Sequence, residues 1–146
     1  MELKFFDGLK DAKYVHIWPR IMDMTNDMLM DMKAEKLCIS SPGISLRGVA
    51  DLIRSKIVNS QKFMFAIKGD FVPIHLMFQF GRPHCRRIND TTYIFNHLGN
   101  KFRALVKLAP FGAVRGIIKK WKEEELESFD KFWSDNIVDL QLPLKF

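Results

Sequence analysis

Ten Lys and Arg stand between positions 82 and 122 against a single acid, Asp90, and this imbalance is the main chemical signal in the chain. Its candidate ligands for a polyanion are Arg82, Arg86, Arg87, Lys101, Arg103, Lys107, Arg115, Lys119 and Lys122. Cationic heads fixed on adjoining elements neutralise several phosphates at once, and release of the phosphates' counterions then drives binding. Arg86 and Arg87, near Tyr93, also suit stacking on unpaired bases. The block carries a net +9, while residues 1–36 carry −1, residues 37–81 carry +3 and residues 123–146 carry −5, within a whole-chain charge of +6. Such asymmetry calls either for an anionic partner or for an internal match between the basic block and the acidic ends. No RNP, KH, zinc-finger or homeodomain pattern accompanies the block, so the signal is electrostatic and not sequence-reading.

Other constellations are weaker. His75, His84, Cys85 and His97 never show the short spacing of zinc-ligand pairs, and the neighbours His84 and Cys85 point to opposite faces if extended. No metal or cofactor is expected. There is no G-x-S-x-G elbow, and neither Cys38 nor Cys85 lies in a basic, helix-initiating context that would favour a thiolate. Gly112 and Gly116 lack the following Gly-Lys-Ser/Thr of a phosphate loop; small residues at that spacing more often let helices pack closely. The carboxylates Asp23, Asp27, Asp31 and Glu35 recur every four residues, as a solvated or partner-facing stripe would. Residues 111–122 have the form of an interfacial helix, with Phe111, Val114, Ile118 and Trp121 on a stripe beside basic residues. Residues 46–57 faintly suggest the first helix of a helix-turn-helix, but a hairpin pattern follows where the second helix should stand.

The elements that must position these residues read as one α+β domain over residues 1–146. Its 146 residues, 47% apolar and 27% charged, suffice for one real core, and thirteen Phe with eight Met suggest a Phe-built one. Residues 14–18 read as a strand closed by Pro19, and residues 19–37 as a helix, although the Met/Asp alternation also fits a strand. Ser45 caps a helix to about Asn59, with Leu46, Val49, Ile53 and Ile57 on its apolar stripe. Residues 62–68 form a buried strand, Gly69-Asp70 a hairpin turn, and Val72, Ile74, Leu76, Phe78 and Phe80 one face of the returning strand. A short strand around residues 85–88 ends in an Asn89-Asp90 turn. Helices are expected over residues 92–109 and 112–134, separated at Pro110, and an alternating strand over residues 138–146. The sum is a small antiparallel or mixed sheet with about four helices packed mainly on one face.

No apolar run approaches the roughly 18 residues that cross a bilayer. The first residues lack a secretory pattern, and two separated cysteines suit a reducing compartment, cytoplasmic or nuclear. The leading expectation is a non-enzymatic basic domain that binds nucleic acid or another polyanion through residues 82–122. The alternative is a self-associating assembly protein, in physical type like small viral matrix proteins. It would pair through strand 138–146 or through acidic and basic faces, and it would also touch anionic membrane peripherally. An enzyme whose site is assembled only in the fold is the third class.

Overall fold

The computed structural model describes residues 8–21, 23–97, 99–109 and 112–136. Seven strands make one mixed sheet: β1 (Tyr14–Ile21), β2 (Lys36–Ser40), β3 (Phe63–Lys68), β4 (Cys85–Arg87), β5 (Thr92–Phe95), β6 (Arg103–Leu108) and β7 (Val114–Lys119). Their spatial order is β1-β2-β3-β7-β6-β5-β4. The first three run parallel, joined through α1 (Asn26–Asp31) and α2 (Leu46–Val58), and the last four pair antiparallel. A third helix, α3 (Phe129–Asn136), follows β7.

The fold is thus α+β, but the sheet is larger than expected and its helices do not gather on one face. Val49, Ile53 and Ile57 of α2 pack on Phe63, Phe65, Tyr93, Phe95 and Val106. On the opposite face Trp121, Leu126, Phe129 and Trp133 cover Met64, Ala66, Ile94, Leu105 and Ile117. Alternate residues of each strand feed the two layers, as the two-residue period requires.

Covering both faces explains the misread segments. The expected helix over residues 92–109 is the β5–β6 hairpin, and the expected helix over residues 112–134 is β7, a 3-10 turn at Glu123–Glu125 and α3. Strands covered on both sides lose the polar alternation that marks a half-exposed strand, and β5 is buried throughout. Chance spacings of three and four then imitate a helical stripe. Gly116 serves strand packing instead of helix packing. It stands opposite Phe65 across β3–β7, and a Cβ there would meet that ring at 2.3 Å. The interfacial helix expected over residues 111–122 is absent too, since its middle is strand β7 and Ile118 and Trp121 are buried.

Residues 19–37 are not one helix. β1 continues through Pro19, which an edge strand tolerates because no ladder donor is needed there. Only residues 26–31 are helical, capped by Thr25, so Asp23 and Glu35 share no helix face with Asp27 and Asp31. The strand expected to return after Gly69-Asp70 is a 3-10 helix, Pro73–Gln79, which buries Pro73 and Leu76 at its own three-residue period. By contrast α2 starts on its Ser45 cap, and β4 turns into β5 where Asn89 Oδ1 accepts from the backbone N–H groups of Thr91 and Thr92. The strand expected over residues 138–146 lies outside the described residues.

Candidate polyanion interface

Strand register sorts the basic block into two regions. Cys85, Phe95, Ala104, Ile118 and Phe63 form one row across five strands. The starts of β3, β4 and β6 and the ends of β5 and β7 therefore meet at one end of the sheet. Lys62 precedes that row on β3, Arg82 and His84 precede it on β4, Lys101 precedes it on β6, and Lys119, Lys120 and Lys122 follow it from β7.

The second region is a face. Arg86 on β4, Arg103 and Lys107 on β6, and Arg115 and Lys119 on β7 share a sheet face with Ile94, Leu105 and Ile117. The chain leaving β7 folds back over this face and brings its own acids to these bases. Arg86 donates to both oxygens of Glu123 at 2.9 and 3.0 Å, and Arg103 reaches the same carboxylate at 3.1 Å and the Trp121 carbonyl at 2.5 Å. Lys107 grips Asp130 at 2.7 and 2.8 Å, and Lys119 bonds Glu125 at 3.0 Å. Arg115, only 8% exposed, lies 5.5 Å from the Phe129 ring and 5.4 Å from Trp133. Burial lowers its guanidinium pKa, and the charge of Asp130 opposes that shift.

These contacts shift the acids. Hydrogen bonds from Arg86 and then Arg103 hold Glu123 below the usual carboxylate range. For Glu125 the Lys122 backbone N–H is the larger cause and the Lys119 ammonium the next. The exposed pairs each contribute little, because water screens them. Apolar burial contributes more: Phe129 and Trp133 stack with centroids 5.7 Å apart, and the Trp121 indole N–H is satisfied by the Ile117 carbonyl at 2.8 Å. Lys36 of β2 closes the far end by donating to the Asn136 carbonyl at 2.9 Å, a cation at a helix C-terminus.

Five of the nine predicted residues (Arg86, Arg103, Lys107, Arg115 and Lys119) are thus committed to the chain's own covering segment. Arg87 pairs with Asp90 at 2.6 Å at the β4–β5 turn. Arg82, Lys101 and Lys122 are exposed and make no ion pair among the described residues. Two lysines outside the predicted set join them at the basic end. Lys62 and Lys120, both exposed, line a groove with Ser60, Phe102 and Lys119. Lys62 lies twenty residues before Arg82 in sequence, and only the β3–β7 pairing brings it to Lys119 and Lys120.

A second groove runs between the 3-10 helix and the β4 edge. Met77, Phe78, Phe80, Arg82, Cys85, Arg87 and Tyr93 line it. Phe78, expected on one face of a returning strand, is 75% exposed there on the 3-10 helix.

The remaining candidates make no constellation. His84 Nδ1 lies 3.3 Å from Asn96 Oδ1 and its ring is 6.4 Å from that of His97, but among the described residues no three His, Cys, Asp or Glu gather as metal ligands. Burial pushes the Cys38 thiol up to about 12 and raises Cys85 as well, the opposite of what a nucleophilic thiolate needs. No helix among the described residues is long and apolar enough to cross a membrane. Comparison of the chain with protein-family models, curated proteins and solved structures finds no match, so the geometry alone bears on function.

Proposed function

We propose that this domain binds nucleic acid through the basic end of its sheet, with Lys62, Lys101, Lys120 and Lys122 contacting the phosphate backbone and Arg82 continuing the contact toward β4. The observation that supports this reading is the partition of charge: these cations lack ion-pair partners among the described residues and share one end, whereas the rest of the block is matched internally. Several cations without ion-pair partners, gathered at one end of the sheet, suit a polyphosphate backbone, because each can neutralise a phosphate and release its counterions. The interface is therefore narrower than residues 82–122, and it reaches outside them to Lys62.

Self-association through acidic and basic faces has less in its favour. Three acids of the C-terminal segment that a neighbour's bases would meet, Glu123, Glu125 and Asp130, are engaged within the chain.

The test is salt-titrated binding of the full chain to an RNA and a DNA oligonucleotide, beside a K62E/K101E/K120E variant. The variant should bind far more weakly and should flatten the plot of log affinity against log salt by about two to three units, roughly 0.7–0.9 per lost phosphate contact. An unchanged affinity and slope would overturn the proposal.

A further inference from the structure

Resting on that reading, we infer that the groove between the 3-10 helix and strand β4 holds unpaired nucleotides, so that the preferred ligand is single-stranded. Phe78 is the proposed stacking platform and Arg82 the flanking phosphate contact, while Arg87, already paired with Asp90, lines the groove beside them.

Phe78 is presented outward by a firm frame. Before it in the 3-10 helix, Pro73 and Leu76 are buried; after it, the Phe80 ring lies 4.5 Å from Phe95. The Arg54 guanidinium covers Phe80 at 4.5 Å and donates to the Gln79 carbonyl. The residues on both sides of Phe78 are thus pinned to the core, and its ring stands 75% exposed on a rigid turn. Ile74 and His75 of the same helix are exposed too, and the His75 ring lies 5.6 Å from that of Phe78. A rigid exposed aromatic in a groove with guanidinium groups meets both demands of a single strand, a face for a base and a charge for its phosphate.

The charges fit this occupant. Arg82 lines the groove and makes no ion pair among the described residues, and its position before β4 places it at the basic end, so one strand would pass from the lysines into the groove. Arg87 bonds the Asn89 carbonyl through Nε and Asp90 through Nη2, which orients the guanidinium and leaves Nη1 without a partner among the described residues. A duplex keeps its bases stacked on each other and cannot offer one to Phe78 without unpairing.

The experiment compares full-length wild type, F78A, F78W and K62E/K101E/K120E for binding to a single-stranded oligonucleotide and to a duplex of equal length. Wild type should prefer the single strand. F78A should lose roughly 5- to 150-fold on the single strand, the usual range for one stacked base, with little change on the duplex. F78W should retain single-strand binding, and its added fluorescence should be quenched on binding. Phe78 is exposed, so F78A should melt as wild type does, and thermal melting of F78A checks this. Unchanged single-strand affinity in F78A overturns the inference while leaving the basic-end reading intact if the lysine variant still binds weakly. Equal losses on both ligands also overturn it, as does an F78A effect confined to self-association, which would assign the groove to a second copy.

Discussion

The basic face and the basic end are built from the same residue types in the same stretch of sequence, yet their surroundings are opposite. On the face, Arg103 and Lys107 of β6 and Arg115 and Lys119 of β7 are mostly covered, and a tryptophan-rich acidic segment lies over them. At the end, Lys101 lies two residues from Arg103, and Lys120 is next to Lys119, yet both are exposed. One step along a strand changes the face a side chain meets, and a step past the strand leaves the covered layer altogether. Clustering of charge in sequence therefore does not measure charge available to a partner. What the fold places opposite each cation decides that.

The largest effect should come from the anchor of the covering segment. Trp133 is 1% exposed, and W133A should cost about 3–5 kcal/mol, measurable by urea denaturation. If it costs less than about 1 kcal/mol, the acidic segment is not a fixed layer and the distinction between face and end weakens.

Acid should loosen the same layer more gently. Glu123 and Glu125 have lowered folded pKa values, so their contribution is complete above the usual glutamate value of about 4.3 and is lost as pH falls through the lowered folded values. E123Q/E125Q should reduce stability at neutral pH and make the decline below that range shallower. Urea midpoints measured across the acid limb check this, and an identical decline in variant and wild type would place the acid sensitivity elsewhere.

The smallest effect belongs to the exposed pair at the rim. R86E should lower stability only slightly, and the reciprocal R86E/E123R exchange should recover part of the loss. A double-mutant cycle isolates the pair. A coupling near zero would leave apolar burial as the whole cause of docking.

What the sequence disclosed follows from where each signal is local. The Ser45 cap and the α2 stripe, the β3 run and the Asn89-Asp90 turn are all contained within a few residues, and all are present. Strands β5, β6 and β7 were illegible because both of their faces are covered, so burial erased the alternation that would have named them. The +9 block was legible as a total, and so was the alternative of an internal match with an acidic end. Its division was not, because assigning Arg103 to the face and Lys101 to the end requires knowing that strand β6 begins at Arg103. Lys62 needed the register between β3 and β7. Phe78 needed the three-residue period begun by Pro73, which a strand reading conceals.

Lysine footprinting by mild acetylation, with and without a saturating oligonucleotide, tests the central claim most directly. In the free protein Lys62, Lys101 and Lys120 should react readily, while Lys107 and Lys119, held by Asp130 and Glu125, should react slowly. Nucleic acid should then protect Lys62, Lys101 and Lys120 and leave Lys107 unchanged. Protection of Lys107 in their place would contradict the account, since it would mean that the covered face, and not the end of the sheet, meets the polyanion.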